Sequence, residues 1–254
     1  MAHTRPYYAQ GGLSAAYYDL LTSLDPTVAA DIDVYADLAA PGADLLELGA
    51  GSGRLTFALA ERGFSVTGVD IAPAMLDLAR ARLATVDATV AARITLKLGD
   101  LTALHLGRTF DAVFCPFHTL AHVPAGQAWR NAFATTAKHL RPGGLAAFHL
   151  PSLDVMAALP PVNPTIAVLD QATPDGGRLQ LFVRDRTFRP TQGRLDQVIE
   201  YRATDLRGAT RISAERLVFY MTQPDPFAAA AGLVADRPPA PMGEAGAIHI
   251  FRKT

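Results

Sequence analysis

The sequence predicts a doubly wound α/β protein with a small antiparallel β cap inserted after its fifth strand. Three observations carry that expectation. From Asp44 onward short apolar runs alternate with helical patterns, as in βαβ units that feed a parallel sheet. A glycine cluster, Gly49-Ala50-Gly51-Ser52-Gly53, interrupts the first strand-to-helix step. After Pro151 the texture changes to long stretches parted by turn residues.

Leu45 to Leu48 reads as the first strand, buried on both faces because its apolar residues do not alternate with polar ones. Leu55, Phe57, Ala58 and Leu59 lie on the following helix, which Gly63 stops. Phe64 to Val69 is the second strand. Pro73 opens the next helix, whose buried side is Met75, Leu76, Leu78, Ala79 and Leu83. Ile94 to Leu98 and Phe110 to Cys115 are strands three and four. Gln127 to Leu140 is helical up to Arg141-Pro142-Gly143-Gly144, and Leu145 to Leu150 is strand five. Right-handed crossovers between these units produce a Rossmann-like sheet. A stretch with five prolines between 151 and 174 follows. Arg178 to Phe188, Arg194 to Leu206 and Thr210 to Thr222 are then three strands of a meander, joined by Pro190-Thr191-Gln192-Gly193 and Arg207-Gly208. Pro226 to Ala231 suits a short helix, and Leu233 to Arg237 and Ala247 to Lys253 suit strands that complete a seven-stranded sheet. The expected organisation is a helical lid over 1–40, a core over 41–151, a substrate cap over 152–222 and completing strands over 223–254.

Composition narrows the partners. The 254 residues are half apolar and carry 23 basic against 24 acidic side chains, without the positive field of a nucleic-acid binder. The longest apolar approach, Phe227 to Ala235, is too short to span a bilayer, so no membrane is expected. One cysteine, Cys115, forms no intramolecular disulfide, and Met1 to Gly12 lacks the apolar core of a signal peptide; the expected location is the cytoplasm. Charge is nevertheless uneven: between Arg178 and Arg216 lie nine arginines against five acids. This stretch is either the solvated face of surface strands or a surface that meets an anionic substrate.

The glycine turn departs from the dinucleotide fingerprint, because Arg54 stands where its last glycine belongs. Glu47, two residues before Gly49, is ill placed beside a pyrophosphate and suits a ligand with positive charge. In Glu47-Leu48-Gly49-Ala50-Gly51-Ser52-Gly53 the chain resembles class I S-adenosylmethionine (SAM)-dependent methyltransferases, whose first motif is an acid, any residue, then G-x-G-x-G. Asp70, at the end of SVTGVD, matches the family's ribose-binding acid. Ile71-Ala72-Pro73-Ala74-Met75-Leu76 is similar to the helix start that packs on the adenine, and Gly99-Asp100-Leu101 to the acid that reads its amino group. The resemblance implies SAM as cofactor and S-adenosylhomocysteine as product. It implies cofactor contacts from Tyr17, Glu47, Gly49, Ala50, Gly51, Arg54, Asp70, Ile71, Met75, Asp100, Leu101 and Cys115, with Arg54 reaching the SAM carboxylate.

At the end of strand four, Cys115-Pro116-Phe117-His118-Thr119-Leu120-Ala121-His122 is similar to the N-S-F-A-H-L segment of glycine N-methyltransferase and of sugar N-methyltransferases. His122 matches the histidine there, while His118 replaces the asparagine and argues against a glycine-type substrate. His122, His118 and Tyr18 are the catalytic candidates, His122 as proton acceptor because imidazole titrates near neutrality. Tyr7-Tyr8 and Tyr17-Tyr18-Asp19 resemble a lid helix over SAM, and residues alone do not choose between Tyr17 and Tyr18. No carboxylate or thiol recurs at a spacing that would complete a metal site around His118 and His122, so no metal is expected. Phe114-Cys115-Pro116-Phe117 lacks the [DN]-P-P-[YFW] tetrad of nucleobase methylation, a second argument against nucleic acid. The expected reaction is methyl transfer to N or O of a small metabolite, with Arg184 and Arg186 candidates to meet an anionic acceptor; a homodimer is compatible with this reading. Two rivals stand beside it: a SAM-binding protein or SAM-dependent enzyme without methyl transfer, and a nicotinamide oxidoreductase.

Overall fold

The computed structural model describes residues 4–254; residues 1–3, the start of the expected lid, lie outside them. In chain order the elements are β1 (Arg5–Pro6), α1 (Leu13–Ala16), α2 (Tyr18–Ser23), α3 (Pro26–Ala36), β2 (Asp44–Leu48), α4 (Arg54–Glu61), β3 (Ser65–Asp70), α5 (Pro73–Leu83), α6 (Ala88–Ala91), β4 (Ile94–Leu98), β5 (Phe110–Cys115), α7 (Gln127–His139), β6 (Leu140–Leu150), α8 (Leu153–Ala157), β7 (Leu169–Ala172), β8 (Arg178–Arg189), β9 (Arg194–Thr204), β10 (Thr210–Tyr220), α9 (Asp225–Ala230), β11 (Leu233–Pro241) and β12 (Ala247–Lys253). A 3-10 turn over Thr119–His122 follows β5.

Seven strands form one sheet in the order β11-β12-β6-β5-β2-β3-β4. β2 pairs in parallel with β3 on one side and β5 on the other, so the chain reverses its direction of winding there. Such a switch point opens a crevice at the carboxyl ends of the strands. Both faces are covered. Leu45 joins Phe57, Leu59, Phe114 and Ile250 on one side, and its neighbour Leu46 joins Trp129, Phe133, Phe148 and Phe251 on the other. This is why β2 reads as a continuous apolar run. β12 and β11 then add antiparallel strands beyond β6.

A second sheet, β1-β10-β9-β8-β7, is antiparallel except that β1 pairs in parallel with β10. Neither β1 nor β7 is expected from the sequence, both being too short for a period to register. Leu13, Leu179, Tyr201 and Ala203 form a buried cluster that seats the first helices on this sheet. Glu215, fully buried on β10, accepts hydrogen bonds from the backbone N–H groups of Leu13 (2.7 Å) and Ser14 (3.2 Å) and from the Ser213 hydroxyl (2.7 Å). A carboxylate at the first turn of α1 satisfies donors that the helix cannot. The close approach requires glycine at 12, where a Cβ would lie 2.8 Å from the carboxylate oxygen. The amino-terminal helices are thereby fastened to the second sheet across some 200 residues of sequence.

Candidate active site

The glycine loop joins β2 to α4 at the switch point. Gly49, Gly51 and Gly53 all have positive φ, and a Cβ at Gly49 would fall 2.2 Å from the Thr119 side chain, so only glycine lets the loop lie against the turn after β5. The N–H groups of Gly49 and Ala50 both donate to Val69 O, at 2.8 and 3.0 Å. Gly51 N–H donates to one oxygen of Asp70 and Ala72 N–H to the other, each at 2.8 Å. Burial raises the Asp70 pKa and these backbone bonds oppose it. The carboxylate is thus fixed beside the loop while each oxygen keeps acceptor capacity, the arrangement that holding a vicinal diol requires. Ile71 and Leu98 flank it at 67% and 59% exposure. Two open apolar side chains beside a carboxylate so fixed suit the flat face of a nucleoside base. Met75 packs under Gly51, Leu101 is half-buried nearby in sequence, and Asp100 is exposed, with one oxygen accepting from Thr102 N–H and hydroxyl at 2.8 Å.

The structure engages four of the expected cofactor contacts elsewhere: Arg54, Glu47, Cys115 and Tyr17. Arg54 donates to Val28 O (2.7 Å) and forks onto Asp31 at 2.7 and 2.6 Å, tying α3 to the loop helix instead of presenting its guanidinium for a ligand carboxylate. Glu47 is 2% exposed and accepts the Thr56 hydroxyl; burial lifts its pKa to about 8 despite that bond and the nearby Arg54. Burial thus favours the protonated form of this carboxyl. Cys115 packs in the core with Val113 and Trp129, and burial pushes its thiol up, which leaves it unreactive.

The structure also separates the two tyrosines. Tyr18 reaches the loop, with its ring edge 4.0 Å from the position of a Cβ on Gly51, and meets Tyr8 edge-on at 5.6 Å. Tyr17 instead packs with the Leu13, Leu179 and Tyr201 cluster. Ser52 in the loop donates to Asp19 (2.5 Å), so α2 is latched directly to the glycine turn.

Beyond the loop lie three histidines. Phe117 and His118 follow each other at φ 42° and 63°, a left-handed pair that non-glycine residues adopt at a cost and that clusters at functional sites. His122 Nδ1 lies 3.1 Å from Val218 O. A carbonyl only accepts, so Nδ1 carries the proton and Nε2 the lone pair. Burial lowers the His122 pKa, with the Val218 bond opposing, and its ring stacks on Phe219 at 4.9 Å. His149, at the end of β6, is 1% exposed, and its ring centre is 4.6 Å from that of His118. Neither of its nitrogens has a partner among the described residues, and burial, then His118, holds its pKa near 3. His149 is not among the residues the sequence singles out; the signal for it is a histidine at the end of a parallel strand, where open α/β sheets place functional groups.

Comparison with known proteins bears on this geometry. Residues 45–144 match the family model described as a methyltransferase domain. Over 111 residues the chain is 39% identical to ubiquinone biosynthesis O-methyltransferase of Xanthomonas campestris pv. campestris, covering 44% of each protein. Over 105 residues it is 36% identical to an uncharacterised methyltransferase of Mycobacterium bovis, covering 39% of this chain and 36% of that one. The matched region is thus less than half the length of these curated relatives. Among solved structures, the CcbJ methyltransferase of Streptomyces caelestis superposes with a TM-score of 0.78 at 22% identity, over 99% of this chain and 100% of that one. The chain has the class I methyltransferase fold. DesVI of Streptomyces venezuelae (TM-score 0.72, 21% identity, 94% and 98% covered) shares it. So does SAM-bound CalS10, an amino pentose methyltransferase from Micromonospora echinaspora (0.64, 24%, 89% of each).

On this class I methyltransferase fold the arginine-rich sheet divides by face. Arg184 forks onto Glu200 at 3.0 and 2.7 Å, Arg202 joins it at 2.7 Å, and Arg189, Arg194 and Arg216 converge on Asp196. These carboxylates alternate along β9 with Gln197 and Tyr201, which face the opposite way. Arg184 therefore belongs to a paired outer surface and does not face the first helices. A cleft of about 730 Å³ opens between the end of β6, the β8–β9 turn and β12, with Ser152, Thr191, Gln223 and His249 in its wall; no residue of the glycine loop lines it.

Proposed function

We propose that the protein transfers the methyl group of SAM to nitrogen or oxygen of a small molecule. The observation that carries the reading is the Asp70 carboxylate, oriented by the N–H groups of Gly51 in the loop and of Ala72 beside exposed Ile71 and Leu98. In this reading Gly49, Gly51, Asp70, Ile71, Met75 and Leu101 hold SAM, Tyr18 covers it, and residues 4–40 act as the lid. Bound there, SAM supplies an electrophilic methyl on a good leaving group. The protein's share is alignment and exclusion of water. His122 Nε2 accepts the proton that the acceptor atom sheds as it gains the methyl, and His118 and Phe219 wall the approach. O-methyltransferases among the sequence relatives and an amino pentose methyltransferase among the structures support a small acceptor of either kind.

The test is formation of S-adenosylhomocysteine from SAM, followed by mass spectrometry of a panel of amines, phenols and sugars. Product without a methylated acceptor would favour a SAM-dependent enzyme of another kind. His122→Ala is expected to lower kcat about 10-fold to 100-fold, at the low end for general-base catalysis because the sulfonium already leaves readily. With its pKa lowered by burial, His122 is the neutral base above its titration, so kcat should rise with pH along a limb centred below the ordinary 6.5 and then level off. A wild-type limb that persists unchanged in His122→Ala would remove this residue from the chemistry.

A further inference from the structure

Partners across an antiparallel ladder share a face of the sheet, and residues two apart along a strand return to it. Arg186 pairs with Gln197, which pairs with Leu217; two residues on, Phe188 pairs with Leu195, which pairs with Phe219. Both rows therefore lie on one face, the face whose Phe219 stacks on His122. Tyr201 and Glu215, which hold the first helices, are on it as well. Arg186 is the arginine of the second sheet that looks inward with an uncompensated charge. Its Nε donates to Gln197 Oε1 (2.9 Å) and one Nη to Pro160 O (3.0 Å), both neutral. Among the described residues no carboxylate pairs with it, although Arg178, Arg184, Arg189, Arg194, Arg202 and Arg216 each have one. Arg5 and Arg211, the other strand arginines of this sheet without such a pair, are both exposed. Arg186 is half-buried, and desolvation lowers its pKa.

A guanidinium has five N–H donors, of which two are engaged here. The buried Gln197 and the Pro160 carbonyl fix its plane and leave the remaining donors for an oxyanion, the partner that a guanidinium fork fits best. The geometry points to Arg186 as the anchor for a carboxylate or phosphate of the methyl acceptor, with Phe188, Leu195 and Phe219 as an apolar floor between that anchor and His122. From strand spacing and rise, Arg186 and Phe219 are about 12 Å apart at Cα. The acceptor class is then a molecule with its nucleophilic nitrogen or oxygen on the order of 10 Å from an acidic group, a length set by that same spacing. This deepens the methyl-transfer reading and rests on it.

The experiment is calorimetric titration of the protein with benzoate, phenyl phosphate and uncharged benzamide, with and without S-adenosylhomocysteine. Wild type should bind at least one anion about 10-fold more tightly than benzamide, as a charge-assisted bond predicts. The preferred anion tells carboxylate from phosphate. Arg186→Gln should abolish the preference while leaving S-adenosylhomocysteine affinity unchanged. Arg184→Gln, on the outer face, should retain it. Equal binding of all three probes by wild type, or equal loss in the two variants, overturns the anchor. Failure of S-adenosylhomocysteine to bind while the Arg186-dependent preference persists would instead sink the methyl-transfer reading and leave the anion site standing.

Discussion

Asp70→Ala is expected to weaken S-adenosylhomocysteine binding by two to three orders of magnitude, about 3–4 kcal/mol, with the fold intact. Two charge-assisted hydrogen bonds to a diol are each worth about 1.5–3 kcal/mol, and both would be lost at once. The variant loses more than these acceptors. Asp70 also receives the N–H groups of Gly51 and Ala72, so its removal frees the glycine loop at the point where it should touch the ligand. Asp70→Asn separates the two effects. An asparagine keeps one carbonyl acceptor but turns the other oxygen into an NH2 that faces a backbone donor. Its affinity should fall between wild type and alanine. Calorimetry that found Asp70→Ala within threefold of wild type would remove the basis of the cofactor assignment.

The parts of this site written in local spacing are legible in the sequence. The glycine turn, Asp70 at a strand end and the alternation of strand and helix each depend on neighbours a few residues apart, and periodicity records such neighbours directly. Contacts between distant segments are not legible in the same way. Nothing near Arg54 in the sequence announces that Asp31 will claim it, and nothing near Glu47 announces the burial against Thr56 that favours its protonated form. Tyr17 and Tyr18 are adjacent, and only the direction of a short helix sends one to the loop and the other to the second sheet. The nine arginines are visible as a charge excess, but which face each occupies follows from strand register, with a bulge between Val183 and Asp185 that composition does not reveal. His149 needs the partner rings around it to stand out from any other buried histidine.

These long-range engagements also set how the site behaves with pH, and Glu47 gives the largest expected effect. Its pKa is about 8 in the folded protein, raised chiefly by burial, against 4.5 without that environment. Below 4.5 both folded and unfolded chains hold the proton and Glu47 contributes no pH dependence. Between 4.5 and 8 the unfolded chain releases the proton while the folded chain retains it, so stability falls as pH rises; above 8 the loss is complete. Over the whole window the loss is on the order of 3–5 kcal/mol. Glu47→Gln should abolish it, because a glutamine oxygen can still accept the Thr56 hydroxyl and the amide never titrates. Urea unfolding at pH 5 should find the two proteins within about 1 kcal/mol, and at pH 9 the variant should be the more stable by several times that amount. Parallel stability profiles from pH 5 to pH 9 would show that Glu47 is ionised in the folded protein. It would then face SAM as a charge after all, and Glu47→Gln would lose cofactor affinity where a neutral Glu47 predicts little change.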